Sequence, residues 1–428
     1  MVAAPMSLDA AWRRPPGWSS PHRPLRPREH VDLAIVGAGF QGLSAARQAA
    51  RAGLGVRVLE RGAVGSGASG LNGGQVIPGL KYDPETLVER FGPLAGQRLV
   101  DFVARTADHV FDLIEAEGLA VPRRRQGWIQ AAHTESALAG LAARDRQWRA
   151  QGADVRLLDA AEVRALTGAA GYHGGWWDRR AGAIDPLALA CEIARLASEA
   201  GAEIAETTPA TRLRREGGGW IVETPRGEVL ARKVLLATNA HSEALVPGLA
   251  RSLVWLHSFQ IATAPLSPDQ DALVLPGGQP VSDSRRILVY FRKSADGRLV
   301  LGGRGRMGVP RRPEDWAHLD RAAHRLFPAL PSLAVEKRWF GRVAMTPDHL
   351  PHVHEPEPGL LAAVGCQGRG VGLMTALGPR LADYLAGGDP EALPLPVTPI
   401  RPIPLYPFRR VGAAALIAWN RLLDAREP

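Results

Sequence analysis

Residues 31–60 read VDLAIVGAGFQGLSAARQAARAGLGVRVLE, and this stretch decides the fold of the chain. Its first six residues form an apolar run that predicts a buried strand. The glycine-rich turn Gly37–Gly42 follows, the pattern over 40–52 predicts a helix, and a second apolar run over 56–59 predicts a strand that ends at Glu60. The order strand, glycine turn, helix, strand is the start of a nucleotide-binding α/β sheet.

Each part of this unit has a role in holding a dinucleotide. Gly37 allows the tight turn, Gly39 lets a pyrophosphate approach bare backbone, and Gly42 lets the helix pack closely on the sheet. The helix N-terminus offers N–H groups and a partial positive charge to the phosphates. Glu60 stands 18 residues beyond Gly42, near the spacing of about 20 that places an acid on a ribose hydroxyl. The stretch therefore predicts a dinucleotide site.

Length and composition restrict the class of protein. A chain of 428 residues with 46% apolar content is long enough for two joined domains. No apolar stretch approaches the roughly 20 residues that cross a bilayer, and the N-terminus lacks a secretory signal pattern. Only Cys191 and Cys366 are present, far apart, which argues against a disulfide framework or a zinc site and favours a reducing, cytoplasmic location.

The net charge of +9 does not indicate nucleic-acid binding. Residues 1–30 and 401–428 each hold five arginines and two acidic residues, so each end carries +3 and the long body between them carries only +3. A nucleic-acid surface would concentrate basic residues on a folded face with motif support. We therefore interpret the charge as that of solvated termini and expect no nucleic-acid partner.

The order of elements predicts a Rossmann-type α/β domain, with α+β elements, interrupted by an inserted antiparallel-sheet substrate domain. Strand–glycine turn–helix units occur near both ends of the chain, and short alternating runs typical of antiparallel strands lie between them. The predicted division is a flexible N-terminal arm at 1–29, a discontinuous cofactor domain at 30–80, 150–245 and 340–400, a substrate domain with helices at 81–149 and 246–339, and a C-terminal tail with an amphipathic helix at 401–428.

A second glycine-rich run, residues 61–75, follows Glu60 directly. Its glycines and small polar residues leave many backbone N–H groups accessible, which suits a further anionic segment or a flat ring. A flexible loop is the alternative, but a dinucleotide held at Glu60 would extend in this direction.

Four ordered motifs resemble the glycine/D-amino-acid oxidase family of FAD-dependent enzymes. They are IVGAGFQGLSAA, VLERGAVGSGASGLNGGQ, KVLLATNAHS at 233–242, and GLLAAVGCQGRGVGLMTALGPRLADYL at 359–385. Within the family, ASGLNGGQ and GRVAMTPDHLPHV are most similar to the gamma-glutamylputrescine oxidase branch. These motifs span most of the chain beyond residue 30.

The resemblance implies FAD as the cofactor and assigns its contacts by position. By this resemblance, the glycine turn and the acid after the second strand would hold the adenosine half of FAD. The second glycine run, the end of a later strand and the N-terminus of the helix in the last motif would hold the rest of the cofactor. That helix end would stabilise charge on the reduced flavin. The implied residues are Gly37, Ala38, Gly39, Phe40, Gln41, Gly42, Glu60, Arg61, Ser66, Ala68, Ser69, Asn72, Gly73, Ala237, Thr238, Gly368, Arg369, Gly370 and Val371.

Two departures from the sarcosine-type members bear on cofactor attachment and substrate. Gly341 stands where those members carry the cysteine that tethers flavin, so the resemblance implies non-covalent FAD. Gly372 stands where they carry a lysine that binds the substrate carboxylate, which disfavours a simple sarcosine-like amino acid. Cys366 is expected to be a small buried side chain rather than a redox group.

Other candidate site residues are less specific. Tyr290 and Arg292 alternate on a predicted strand and so share one face, where they would contact substrate and an anionic group, or else face solvent. Arg342 is a comparable candidate. The run Asp348–His354 contains three histidines, but Pro351 and the lack of a helix make poor metal geometry, and no metal is expected.

The family resemblance implies oxidation of a C–N bond in an amine or amino acid. Hydride would pass to flavin N5, the imine would hydrolyse, and oxygen would reoxidise the flavin to give hydrogen peroxide; no residue is nominated as a base. The alternatives are a dehydrogenase that passes electrons to a quinone or carrier, a non-catalytic flavin-binding protein, and an NAD enzyme. The amphipathic stretch Arg409–Arg426 could contact a membrane surface or pack back on the protein.

Overall fold

Two eight-stranded sheets and a small three-stranded sheet organise the computed structural model, which describes residues 10–330 and 333–426. The strands are β1 (Arg28–Val36), β2 (Val56–Leu59), β3 (Gln75–Val76), β4 (Arg123–Arg124), β5 (Trp128–Ala132), β6 (Val155–Asp159), β7 (Gly174–Asp178), β8 (Gly182–Ile184), β9 (Glu203–Ala205), β10 (Arg212–Glu216), β11 (Gly219–Thr224), β12 (Gly227–Leu236), β13 (Val254–Pro265), β14 (Val281–Asp283), β15 (Val289–Lys293), β16 (Arg298–Arg304), β17 (Val335–Met345), β18 (His352–Glu357) and β19 (Leu360–Val364). The helices are α1 (Phe40–Arg51), α2 (Ala68–Leu71), α3 (Pro84–Phe91), α4 (Pro93–Ala104), α5 (Thr106–Ala116), α6 (Glu135–Ala150), α7 (Ala160–Thr167), α8 (Pro186–Glu199), α9 (Pro268–Leu273), α10 (Ala317–Leu326), α11 (Gly370–Leu385) and α12 (Arg409–Arg426).

The first large sheet is the cofactor sheet. Its centre is parallel, in the order β9, β2, β1, β12, β19, and β10, β11 and β18 add antiparallel strands. Helix α1 packs on this sheet and lies directly against α11, since a Cβ at Gly378 would stand 2.5 Å from the carbonyl oxygen of Gln41. This arrangement confirms the predicted Rossmann-type domain and brings the two glycine-led helices side by side.

The second large sheet is mainly antiparallel, in the order β17, β13, β16, β15, β14, β5, β7, β6, with β14 and β5 parallel. Helix α10 and the preceding Trp316 cover one face, where Trp316 stacks on Phe259 at 4.7 Å between ring centroids. We call the opposite face, which carries Ser258, Gln260 and Tyr290, the inner sheet face. It lies against the second glycine-rich run, so the substrate sheet faces the cofactor domain.

Strand β12 pairs along one edge with two different neighbours, β11 at its start and β19 at its end. One pairing differs from the sequence prediction. Strands β6 and β7 join the edge of the substrate sheet, whereas the predicted division places residues 150–178 in the cofactor domain. Such pairings join residues distant in sequence, and a local pattern does not encode them. The other domain limits stay predictions.

The N-terminal segment differs from the predicted flexible arm where the structure describes it. Ala11 and Trp12 are buried, and the Arg23 amide donates to the carbonyl of Ile204 at 2.8 Å. The sequence of this segment, with two tryptophans and no apolar periodicity, does not predict that it packs on the body of the protein. The surface on which it packs is formed by other parts of the chain. Residues 1–9 lie outside the described residues.

The C-terminal helix forms over Arg409–Arg426, the range that the sequence predicts. Ile417 on this helix is buried, and the carboxylate of Asp424 accepts hydrogen bonds from the amides of Arg286 and Ile287. Across the two described ranges, no helix has the combined length and hydropathy needed to cross a bilayer.

Candidate cofactor and substrate site

The glycine turn between β1 and α1 is closed too tightly for side chains. Gly37 has a φ of +112°, and a Cβ there would stand 2.9 Å from the carbonyl oxygen of Ala237. A Cβ at Gly42 would stand 2.0 Å from the carbonyl oxygen of Gly37. The turn, α1 and the end of β12 are therefore in backbone contact, which places Ala237 beside the glycine turn.

The carboxylate of Glu60 ties the end of β2 to this turn. Its Oε2 accepts from the amide of Ala38 and its Oε1 from the amide of Gly62, each at 2.8 Å. A carboxylate in this position, beside the turn and at the strand end, is suited to accept hydrogen bonds from ribose hydroxyls.

Two helix N-termini face the same region. The N-cap residue is Gly39 for α1 and Arg369 for α11. At neither helix does a side chain of the N-cap residue hydrogen-bond to the free amides of the first turn. The Phe40 amide of α1 donates to the Ser69 hydroxyl at 3.0 Å, which brings the second glycine-rich run onto this helix end. Gly368 has a φ of +81°, and no heavy atom lies within 4 Å of its Cβ direction. Both helix ends can therefore place their positive dipoles against a negatively charged ligand.

Residues 71–75, here called the flavin loop, are held from behind by buried donors. The Leu71 carbonyl accepts from Gln260 Nε2 at 2.6 Å and from Trp339 Nε1 at 3.0 Å. The Asn72 carbonyl accepts from Trp12 Nε1 at 2.7 Å. Because these carbonyls are bonded toward the inner sheet face, the loop is fixed with its other side toward the cofactor domain.

Arg292 completes this support. Its Nη1 donates to the carbonyls of Gly74 and Ile184, at 3.2 and 2.6 Å, and the indole of Trp12 covers the guanidinium at 4.5 Å. Burial lowers the pKa of Arg292 to about 10, so the side chain remains charged at neutral pH. A cavity of about 370 Å³ adjoins Arg292 and is lined also by Trp12 and Arg124. Arg292 thus braces the loop at Gly74.

The remaining predicted cofactor residues lie in the second glycine-rich run, after the end of β12, or at the start of α11. Ala68 and Ser69 begin α2, and the Asn72 amide group caps its end by donating to the carbonyls of both. Arg61 points outward and pairs with Glu243 at 2.9 Å and with His241 at 2.7 Å. Ser66 lies near Gly62, and the Thr238 hydroxyl is hydrogen-bonded to that of Ser242. Gly370 and Val371 form the first turn of α11.

These features fit FAD, because a glycine turn, a strand-end acid, two helix N-termini and a backbone loop form one continuous surface. The family model described as FAD dependent oxidoreductase, DAO, matches residues 32–384. The chain belongs to this family. The protein is therefore an FAD-dependent oxidoreductase, and the sequence prediction of family, fold class and cofactor is confirmed.

Two relatives support the same family assignment, and a solved structure matches the fold. A probable oxidoreductase, OrdL, of Rhizobium meliloti (strain 1021) is 31% identical over 435 residues, covering 96% of this chain and 99% of its own. Gamma-glutamylputrescine oxidoreductase of Escherichia coli (strain K12) is 30% identical over 400 residues, covering 91% and 93%. The crystal structure of glycine oxidase from Geobacillus kaustophilus matches in fold, with a TM-score of 0.72, 23% identity, and coverage of 84% and 96%.

The three substrate-pocket candidates have different surroundings. Tyr290 lies on the inner sheet face, with its hydroxyl 2.8 Å from that of Ser258 and its ring against Gly73. Arg292 shares this face but is engaged with the flavin loop. Arg342 lies on the opposite face, where its guanidinium stands over Trp255 at 4.8 Å. Tyr290 is therefore the candidate that stands next to the loop and remains partly accessible.

The histidine run near residue 350 contributes to loop structure. His352 Nε2 contacts the carboxylate of Asp348 at 3.1 Å, and His354 Nδ1 contacts the carbonyl of Thr398 at 2.8 Å. Within the part of the chain that the structure describes, no three His, Cys, Asp or Glu side chains are grouped to hold a metal ion.

Sequence reasoning missed the residues that hold the flavin loop from behind, namely Trp12, Gln260 and Trp339. Gln260 carried a usable signal, because it is a polar residue flanked by Phe259 and Ile261 in an apolar strand. Trp12 carried none, since its partner Asn72 is remote in sequence and its own surroundings are typical of a solvated arm.

Proposed function

We propose that the protein oxidises the C–N bond of an amine or amino acid in a pocket between the flavin loop and the inner sheet face. The observation that carries this proposal is the Tyr290–Ser258 hydroxyl pair, at 2.8 Å, directly over Gly73. The names of the relatives, which act on gamma-glutamylputrescine or glycine, support an amine or amino-acid substrate.

The hydroxyl pair is suited to orient an amine without ionising. Burial raises the pKa of Tyr290 to about 12, so the phenol stays neutral at physiological pH. A neutral phenol hydrogen-bonded to Ser258 can accept from or donate to the substrate nitrogen. Tyr290 therefore acts by positioning, and the substrate amine is expected to react in its neutral form, with no protein base assigned.

The cofactor, when bound, supplies the acceptor for the two electrons and the hydrogen that leave the carbon next to nitrogen. The chain contributes the backbone of the flavin loop and the N-terminus of α11, which starts at Gly370. A helix N-terminus beside this ligand favours negative charge there by electrostatics. The imine product would then hydrolyse to a carbonyl compound and an amine or ammonia.

Two positions support non-covalent FAD and a substrate other than sarcosine. A Cβ at Gly341 would lie 3.4 Å from the Cβ of Leu71, so this residue adjoins the flavin loop but offers no thiol. Gly372 lies in the first turn of α11 against the backbone of Thr106, and it offers no cation to a carboxylate.

The two cysteines are free and buried, which supports a reducing, cytoplasmic location.

The test is anaerobic reduction of the purified holoprotein by a panel of amines and amino acids, followed by the flavin absorbance. Bleaching by polyamine derivatives and not by sarcosine supports the proposal; bleaching by sarcosine alone contradicts the substrate class, and no bleaching by any amine contradicts the activity. Peroxide formation under air, compared with reduction of a dye, then distinguishes oxygen from a quinone or other carrier as the electron acceptor.

The role of Tyr290 is tested by Tyr290→Phe, with Tyr406→Phe as the matched control. Both phenols make one hydrogen bond, but that of Tyr406 is to the carbonyl of Ala250, away from the site. Loss of an orienting hydrogen bond should lower the rate of flavin reduction by about ten-fold in the first variant. Equal rates in the two variants would contradict the assignment.

A further inference from the structure

The outer side of helix α12 carries an apolar stripe that nothing in the described chain covers. The stripe consists of Val411, Ala415, Ala418, Trp419 and Leu422, at the spacing that places residues on one side of a helix. Val411 is 70% exposed and Trp419 is 55% exposed. Amphipathic helices on proteins normally turn this side toward the core, so the orientation requires an explanation.

Contacts on the opposite side fix this orientation. Ile417 is buried against the body, and Asp424 accepts from the amides of Arg286 and Ile287 at 3.1 and 2.9 Å. Leu405 and Phe408, just before the helix, are also exposed, at 77% and 66%. The apolar surface thus continues beyond the helix and stays on the outside of the folded protein.

The charge of this region indicates what covers it. Residues 401–428 hold five arginines against two acidic residues, a net charge of +3. An apolar stripe on a segment of net positive charge matches the interface of a bilayer, where apolar side chains enter the acyl boundary and basic residues favour anionic lipid headgroups. We propose that the segment 405–422 docks the protein onto a membrane surface that contains anionic lipids.

A second copy of the chain is a less suitable partner. Pairing of two identical stripes around a two-fold axis would bring two segments of charge +3 together, which is electrostatically unfavourable. The small residues Ala415 and Ala418 do allow close contact between two helices, so the experiment below also measures whether the protein is a dimer in solution. The docking proposal does not depend on the proposed catalytic function.

The experiment is co-sedimentation of the full-length holoprotein with vesicles of phosphatidylcholine alone or mixed with an equal part of phosphatidylglycerol. The triple variant Val411→Ser, Trp419→Ser, Leu422→Ser tests the stripe. Leu94→Ser is the matched control, because Leu94 on α4 is 81% exposed and lies outside the stripe. Flavin content and absorbance establish that each variant is folded.

We expect binding to the anionic vesicles and little binding to phosphatidylcholine alone, with at least about ten-fold weaker partitioning of the triple variant. The Leu94→Ser variant should bind as the parent does. Equal binding of the triple variant and the parent would overturn the proposal, as would an absence of vesicle binding. A dimer in solution that the triple variant converts to a monomer would overturn it in favour of a second copy.

Discussion

The indole of Trp12 donates its Nε1 hydrogen to the carbonyl of Asn72 at 2.7 Å, joining the N-terminal segment to the flavin loop. The same ring packs edge-on against Trp339, with centroids 5.8 Å apart, and over the guanidinium of Arg292. Each of these two neighbours also donates to a carbonyl of the loop. The loop that adjoins the cofactor is therefore supported by a segment that lies outside both sheets.

Replacing Trp12 by Phe should weaken FAD binding. Phenylalanine keeps a ring against Trp339 but leaves the buried carbonyl of Asn72 without this donor, a cost of about 1–3 kcal/mol. We expect FAD affinity about ten-fold lower, measured by titration of the apoprotein. Trp18→Phe is the control, since Trp18 lies on the same segment, where its ring packs beside Arg14 and against the core of the cofactor domain. Equal affinities would show that the indole hydrogen bond is dispensable.

Replacing Glu60 by Gln should weaken FAD binding further. The carboxylate accepts two backbone hydrogen bonds, and an amide would turn its NH₂ group toward the amide of Ala38 or that of Gly62. We expect an affinity about 30–100-fold lower in the same titration. The control is Glu243→Gln, an exposed acid that pairs with Arg61. An unchanged affinity for the Glu60 variant would contradict its placement at the ribose.

Replacing Gly42 by Ala should prevent formation of the dinucleotide turn. The added Cβ would lie 2.0 Å from the Gly37 carbonyl oxygen, so α1 would have to move off the strand. We expect purified protein without flavin, or a destabilisation above about 3 kcal/mol in urea unfolding. Gly140→Ala, in the open middle of α6, should be neutral or stabilising by up to about 1 kcal/mol. A flavin-loaded Gly42 variant would contradict the model of the turn.

The unfolding free energy should decrease as the pH is lowered, because of the protonation of His241. Burial, with a smaller contribution from the cations of Arg61 and Arg342, lowers its pKa from 6.5 to about 4. Below pH 6.5 the unfolded chain therefore binds a proton that the folded chain does not. The unfolding free energy decreases with falling pH until the pH approaches 4.

This linkage predicts a loss of about 2 kcal/mol in the unfolding free energy between about pH 7.5 and about pH 5, measured by urea denaturation. His241→Gln should remove this part of the pH dependence. His324→Gln, at an exposed position on α10, should retain it. A His241 variant with the parental pH dependence would show that other groups are responsible.

The sequence by itself determined the family, the cofactor, the Rossmann-type unit and the limits of several helices. These rest on short-range rules: Gly37 and Gly42 are required by one turn, Glu60 follows its strand directly, and α12 forms over the predicted range because its propensity and periodicity are local. Only the tertiary structure decided that Trp12 and Gln260 support the flavin loop, that Arg292 faces that loop, and that Arg342 stands on the opposite sheet face. These facts depend on which strands pair and which faces meet, and such contacts between distant residues are set by the packing of the whole chain.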